Sequence, residues 1–575
     1  MWGARIYILT AVIGGIVGLV MGGFLLFYDW VVENYQLLVD EGFWWVVLLP
    51  MVGFPLAYAL VYYCSFSRTT GCATHTVLDA YHVNAGDLHW KDSVTKAAGA
   101  ILTIGSGGSA GLEGPSMIIG GGIAAQINRK LRLAPEDRRK LFMAGTAAGL
   151  AAYFHAPLTG LFFGIEVPYR FDLAREVFLE AAIASVTGYA VSGMITRKWH
   201  LFELKLFTGL LMSPTLLAHS IVIGFLCAIL GMLFIKMYVS MHRNLSPKVG
   251  ENYWMPFAGG IAMACLSIAF LFVGEPVVLQ GGGEPLIEEL LMHAVRLTPL
   301  LALILAVAKI VATSVTLNTG GSGGVIGPSL FIGAMIGYAY AGFLHLANPE
   351  IYMMIAMASF LASVTKCLVT GVALVAETCG TATIIPTVVA TAVSFFAVGA
   401  ESLYENQLSH HGVWEEEALI RAYYRARQLR PHAVQRLYAR NLMITHVPTV
   451  HLDHTVREAL AHRFGEFHMF PVVDDRGHLV GSVNLEDLLA VSERSLDLPV
   501  TLAAVHSAPT ISPDAPIEEV IHLLEDHGTD VYVVDEEGRL LGVITAPEVV
   551  RRLIAVAGIS RRARRLAELL PSLGA

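Results

Sequence analysis

The residues in this chain best suited to chemistry are one acid and two sets of bare backbone amides. Glu113 stands inside Gly107-Gly108-Ser109-Ala110-Gly111-Leu112-Glu113-Gly114-Pro115-Ser116-Met117-Ile118-Ile119-Gly120. The phrase returns, without a gap, as Gly320-Gly321-Ser322-Gly323-Gly324-Val325-Ile326-Gly327-Pro328-Ser329-Leu330-Phe331-Ile332-Gly333. Glycines followed by Gly-Pro-Ser and an apolar run predict a helix N-terminus. Such a terminus carries unpaired N–H groups and roughly half a positive charge, which suits an anion. Neither copy contains lysine or arginine, so no fixed cation is expected to capture the ion permanently. Partial charges replace its hydration and still release it, which implies a conduit for a small anion. Glu113, in the first turn of its helix, places its own carboxylate in the anion's seat and reads as a tethered gate; the alternative is a capping carboxylate that never moves.

The elements that position these residues must lie in a membrane. The chain has 575 residues, 55% of them hydrophobic and only 15% charged, with a mean hydropathy of +0.60. Runs such as Ile6 to Phe27, Trp44 to Tyr63, Phe178 to Ile195, Leu216 to Phe234, Phe257 to Val273, Leu300 to Leu317, Ile351 to Val364 and Ile384 to Val398 are candidate spans. Other runs are short or broken by Gly and Pro, and these are the paired ones, as in a transporter built from internal repeats. The first apolar run is expected to stay as a membrane helix, because no small-residue processing site follows it. The six cysteines show no metal-ligand spacing and are expected to be free thiols.

The duplication continues. Ala156-Pro157-Leu158-Thr159-Gly160 through Glu166 returns as Cys367-Leu368-Val369-Thr370-Gly371 through Glu377, and a further break lies at Thr69-Thr70-Gly71-Cys72-Ala73-Thr74-His75. Gly111-Leu112-Glu113-Gly114-Pro115 resembles the GREGP motif, Gly324-Val325-Ile326-Gly327-Pro328 resembles GxFxP, and Gly71 to His75 stands in the place of GSGIP, all of the CLC family of chloride channels and proton-coupled chloride transporters. Tyr404, in Ser402-Leu403-Tyr404, is similar to that family's late tyrosine, whose hydroxyl reaches the central anion.

The resemblance implies anion contacts from Cys72, Ala73, Glu113, Gly114, Val325, Ile326 and Tyr404, with Glu113 as the gate, chloride as the transported ligand and no cofactor required. It also implies a homodimer in membrane lipid with one separate path per subunit. Cys72 replaces the serine that usually donates to the ion, and a thiol is a weaker donor. His75 stands where the family often has Pro, and Ile326 where it has Phe, so selectivity among chloride, nitrate, bromide and fluoride is open. Glu166 and Glu377 read as structural acids pairing with backbone N–H groups. His155 reads as a hydrogen-bonded structural histidine. Val167 occupies the position where proton-coupled members carry a second glutamate that relays protons inward. Valine does not titrate, so a channel-like or weakly proton-coupled mechanism is expected, with a proton-coupled chloride/proton antiporter as the alternative.

Past Ser409 the character changes. Arg421, Arg425, Arg427, Arg430, Arg436 and Arg440 form a basic stretch directly after the last membrane segment, which puts that end in the cytoplasm. Val472-Val473-Asp474 with Gly477, Leu479 and Gly481 then returns as Val533-Val534-Asp535 with Gly538, Leu540 and Gly542. Each unit runs helix, strand, tight turn, strand and helix. This resembles a pair of CBS domains, often adenine-nucleotide or ionic-strength sensors. The resemblance offers Thr545, Glu548 and Asp487 as candidate nucleotide contacts, against a purely structural, dimer-stabilising role.

Two other classes are weaker. A CBS-regulated cation transporter would need carboxylates or carbonyl rings facing its path, and an intramembrane enzyme would need a metal motif or nucleophile elbow, neither of which is present. The expected protein is therefore not an enzyme, and nucleic acid is not an expected partner. Its fold class is an all-α multi-pass membrane domain with two repeated halves of opposite topology and broken helices, plus a cytoplasmic α/β paired-CBS region. The expected boundaries are 1–408 for the anion-transport domain, 409–440 for a basic linker, and 441–575 for the CBS pair (about 441–495 and 500–556) with a C-terminal tail. The cell (inner) membrane is the expected location.

Overall fold

The computed structural model describes residues 2–41, 44–82, 84–133, 135–202, 213–249, 252–271, 279–410, 414–445, 447–461, 469–484, 488, 496–497, 499–500, 505–506, 508–527 and 530–557. The chain divides into two compact units, Met1–His411 and Gly412–Ala575.

The first unit is helical. Among the described residues, six helices are long and apolar enough to cross a bilayer: Arg5–Val39, Arg175–Thr196, Pro214–Ser246, Pro299–Asn318, Ile326–Phe343 and Thr381–Val398. Pro50–Cys64 and Leu368–Cys379 have 15 and 12 residues. At about 1.5 Å per residue neither reaches across a hydrocarbon core of about 30 Å. Leu368–Cys379 is a broken helix of the kind the Gly and Pro interruptions predict, whereas the expected span Trp44 to Tyr63 divides at Pro50 into a short 3-10 turn and the Pro50–Cys64 helix. Proline starts several helices of this unit, as in Pro157–Glu166, Pro299–Asn318 and Pro349–Thr365, where its missing N–H costs no hydrogen bond. All six cysteines are free.

The repeat is visible in packing. Gly120, which closes the first Gly-Pro-Ser phrase, faces the Pro135–Phe154 helix so closely that a Cβ there would lie 2.0 Å from the Gly145 carbonyl oxygen. Its counterpart Gly333 meets the Pro349–Thr365 helix, where a Cβ would lie 2.6 Å from the Ala356 oxygen. Each Gly-Pro-Ser helix thus docks its backbone directly on the helix that follows it, and any larger residue would part them.

The second unit holds two small sheets. Val450–His451, Met469–Val473, Leu479–Asn484 and Val505–His506 form one in that order; Thr510–Ile511, Val531–Val534 and Leu540–Ile544 form the other. Each begins with a parallel pair and continues into an antiparallel hairpin. The hairpin turns are built alike. Asp474 accepts from the Arg476 and His478 amides at 2.9 and 2.8 Å, and Asp535 from Glu537 and Arg539 at 3.0 and 2.8 Å. Gly477 and Gly538 supply the positive φ. The turns also grip each other: the Leu479 amide donates to Gly538 and that of Leu540 to Gly477, both at 3.1 Å.

Within residues 409–440, the range expected as a linker, Leu419, Tyr423, Ala426, Val434 and Ala439 take part in this unit's core. The Trp414–Leu429 helix buries Leu419, Tyr423 and Ala426 with Val549, Val550 and Leu553. The six arginines mask an amphipathic pattern beneath them, and its apolar stripe is what packs.

Candidate anion pathway

Three glycine-rich breaks meet in the interior of the first unit. Gly71 and Cys72 pair in parallel with Ser322 and Gly323. Gly111 and Gly324 exchange backbone hydrogen bonds at 2.9 and 2.8 Å. This seam satisfies the loop amides that are not needed elsewhere, so a non-helical backbone survives at membrane depth. It also brings the start of the Glu113–Leu131 helix against that of Ile326–Phe343.

Glu113 is fully buried, and its carboxylate lies on the other repeat. Oε1 accepts from the amides of Ile326 and Gly327, the latter at 3.0 Å. The acid of one half therefore sits on the helix N-terminus of the other, where dipole and free amides favour negative charge. Its second oxygen, Oε2, meets no hydrogen-bond donor among the described residues. Gly111 leaves room for this placement, since a Cβ there would fall 1.9 Å from Oε2 and the carboxylate would have to shift.

The other expected contacts lie along the same breaks. Cys72, Ala73, Val325 and Ile326 are buried, and Ala73 abuts Gly114: a Cβ on that glycine would come 3.3 Å from the alanine's. His75, one turn into the Ala73–His82 helix, has its Nε2 3.2 Å from the Leu403 carbonyl, which ties this segment to the tyrosine loop. Tyr404 is fully buried with a hydroxyl lacking a partner among the described residues. A buried phenol with an unused donor is costly unless something accepts from it. Its loop is pinned by Gln407, which donates to the carbonyls of Val167 and Thr365 at 3.0 and 2.9 Å. Val167 is itself buried.

Glu166 and Glu377 form a reciprocal clasp. Glu166 accepts from the Val369 and Thr370 amides at 2.8 Å each and from the Thr370 hydroxyl at 2.7 Å. Glu377 accepts from Leu158, Thr159 and the Thr159 hydroxyl at 2.8, 2.8 and 2.7 Å. Each short helix carries, in its last turn, the acid that caps the other's N-terminus, the structural role read from the sequence. His155 differs from expectation. It ends the Pro135–Phe154 helix with a φ of +50°, and its buried Nδ1 has no partner among the described residues.

Two features escape the sequence reading. The expectation of no fixed cation holds for the motifs but not for their surroundings, because Lys96 and Lys309 are buried. Lys309 Nζ is held by the Leu279, Gln280 and Gly281 carbonyls at 3.0, 3.3 and 2.8 Å. Lys96 Nζ is held by the Thr69 and Thr76 hydroxyls at 2.9 and 2.5 Å. Both ammonium groups are thus occupied by oxygen acceptors. The second feature is Glu284, which accepts from the Tyr153 hydroxyl at 3.0 Å. A Cβ placed on Gly327 would lie 2.8 Å from Glu284 Oε1 and 3.6 Å from Glu113 Oε2, so a second acid faces the gate. Gly281-Gly282-Gly283-Glu284-Pro285 repeats the glycine, acid and proline grammar around Glu113, and that signal was available.

In the second unit, Glu548 is buried and its carboxylate pairs with Arg551 and, at 2.8 Å, with Arg552. Thr545 accepts from the Glu548 amide at 3.4 Å. Asp487 lies outside the described residues.

Comparison with known proteins agrees with this geometry. The family profile described as "Voltage gated chloride channel" matches residues 52–399, and that for the CBS domain matches 439–494 and 503–555. Protein MJ0305 of Methanocaldococcus jannaschii is 28% identical over 367 residues, covering 63% of this chain and 87% of its own length. The H(+)/Cl(-) exchange transporter ClcA of Vibrio cholerae is 29% identical over 307 residues, 50% of this chain and 62% of its own length. The chain therefore spans less than two thirds of that relative. The crystal structure of a eukaryotic CLC transporter superposes with a TM-score of 0.57 at 20% identity, over 95% of this chain and 98% of that one, which is a likeness of fold. With its membrane unit matched over most of its length and its second unit matched twice, the chain belongs to the CLC family of voltage-gated chloride channels and transporters and is a multi-pass integral membrane protein bearing a CBS pair.

Proposed function

We propose that this protein carries chloride or a similar small anion across its membrane in exchange for protons, with Glu113 as the moving gate. The observation that carries the reading is the position of the Glu113 carboxylate on the Ile326 and Gly327 amides. An anion and a carboxylate compete for one set of N–H donors, and protonating the acid removes its claim. Cys72, Ala73, Gly114, Val325 and Tyr404 are the proposed remaining contacts. Exchange is preferred to the channel-like reading because relatives such as the Vibrio cholerae protein are named exchangers. The channel-like reading keeps one observation in its favour, the buried Val167 in place of an inner acid.

We further propose a homodimer with one path per subunit, an anion-transport domain over 1–408, and CBS modules at about 441–495 and 500–556. For the CBS pair the proposed role is structural. The Glu548 carboxylate is already paired with two arginines, so ribose hydroxyls would have to displace them. Calorimetry of the whole protein with ATP, ADP and AMP tests this, and saturable heat with any of the three overturns it.

The deciding experiment for transport is simultaneous chloride and proton flux from purified protein in liposomes. Uphill proton movement driven by a chloride gradient is expected. Chloride flux with no proton movement would leave the channel-like reading, and no chloride flux would remove both.

A further inference from the structure

If the protein exchanges protons, as proposed above, a proton must reach Glu113 from the cytoplasmic side past a valine. Two histidines are placed to carry it. His75 stands beside the tyrosine of the anion site, with ring centroids 6.0 Å apart, and beside His242 of the Pro214–Val249 helix, with centroids 5.3 Å apart. Both imidazoles are partly exposed rather than sealed in the core. Close to them, Arg243 and Glu405 form an exposed ion pair at 2.7 Å. Glu405 lies a few residues before the chain leaves the membrane unit, so this rim is the cytoplasmic one.

The hydrogen bonds fix which nitrogens are available. His75 Nε2 faces the Leu403 carbonyl at 3.2 Å, an acceptor only, so Nε2 carries the hydrogen and Nδ1 keeps its lone pair. His242 Nδ1 faces Asn318 Oδ1 at 3.2 Å and the Ser246 hydroxyl oxygen at 3.1 Å, and that hydroxyl donates to the same Asn318 oxygen, so Nδ1 is the donor. Asn318 Nδ2 donates to the carbonyls of Ser314 and Tyr238, which sets the amide's orientation and leaves Nε2 of His242 as the basic nitrogen. Each ring thus presents one free base. Lys96 from the Trp90–Gly105 helix is the charged group facing His75; Asp79, on His75's own helix, lies by Lys96 and Glu405 by Tyr238, and Cys72, Tyr238 and Tyr404 are the other titratable neighbours.

We propose that His242 and His75 are the inner proton relay of this protein, standing in for the missing acid at Val167. A cytoplasmic proton binds Nε2 of His242 and makes it an imidazolium. It passes to Nδ1 of His75, returning His242 to neutral, and leaves that nitrogen for the Glu113 carboxylate when the acid has swung off the Ile326 amide. One proton moves at each step, and no electrons do. Ala73, two residues before His75, abuts Gly114, the residue after Glu113, so the helix that carries His75 starts at the foot of the gate.

The test is the proton-to-chloride flux ratio in liposomes for wild type, His75→Gln, His242→Gln and the double variant His75→Gln/Val167→Glu. Each single substitution is expected to lower the ratio about a hundredfold, the low end of what loss of a proton-transfer group costs. Adding the acid at position 167 is expected to bring the ratio back, which also shows that the His75 variant folds. Single variants with the wild-type ratio overturn the relay, as does a His75 variant whose only change is in chloride affinity. A wild-type protein that moves no protons against their gradient instead defeats the exchange reading itself, and the relay falls with it.

Discussion

Replacing Glu113 with glutamine keeps the size of the gate and removes its charge. In the structure the carboxylate oxygen accepts from two amides at the N-terminus of the Ile326–Phe343 helix. Hydrogen bonds to a charged acceptor contribute roughly 1.5–3 kcal/mol each and neutral ones roughly 0.5–1.5. Two such bonds lose about 2 kcal/mol, and the charge's interaction with the helix terminus accounts for about 1 more. At about 1.4 kcal/mol per decade the seat's occupation by its own side chain should fall about a hundredfold. Anions then face a much weaker competitor.

The assay is chloride flux in liposomes, with the external solution taken from about pH 4 to about pH 8, a span that covers both ordinary and shifted carboxylates. Wild-type flux should rise on acidification, because a neutral acid releases the amides. The Glu113→Gln protein should be fast at every pH and nearly flat. A variant that keeps the wild-type slope would show that another group senses external pH and that Glu113 is an immobile cap.

Gly111→Ala should reproduce much of that behaviour by steric means, since its Cβ would fall 1.9 Å from Glu113 Oε2 and evict the side chain; flux that keeps its pH slope would contradict the placement. Glu166→Ala and Glu377→Ala should each destabilise the membrane unit by about 3 kcal/mol, because each orphans two amides and a hydroxyl. Thermal unfolding in detergent should show matched losses, and a loss at only one of the two would break the reciprocal clasp. In the second unit, the His478 side chain and amide hold the Asp474 carboxyl below its usual range. The folded value lies under the unfolded one, so this stabilisation is complete above the ordinary aspartate range and is lost as pH falls through the lowered value. Hydrogen exchange at the Arg476 and His478 amides should quicken over that acid window in wild type and show no such step in Asp474→Asn.

Much of this was legible because the decisive signals are local. Gly-Pro-Ser after a glycine run marks a helix start whatever surrounds it, and its recurrence at Ile326 announced a second one. The valines, aspartates and glycines of the two CBS hairpins are local in the same way. The clasp was half legible: Glu166 and Glu377 read as partners for backbone amides, but not as partners of each other's helix. The helix within 409–440 was read by its arginines, and its buried Leu419 and Tyr423 went unweighed.

What stayed hidden depends on contacts between distant segments. Glu113 was read as guarding its own helix, yet its carboxylate rests on the amides of the opposite repeat, an outcome that only the seam between Gly111 and Gly324 brings about. The same holds for charge. Lys96 and Lys309 lie outside the two glycine phrases and went unweighed; once folded, their ammonium N–H groups are aimed at neutral hydroxyl and carbonyl oxygens instead of at the ion. The amides at Ile326 and Gly327 therefore remain the attractive feature at the seat, and amides bind weakly enough to let go. A site that must release its ion is made by turning nearby ammonium donors onto other acceptors as much as by presenting amides, and that balance is a property of the folded unit rather than of any motif.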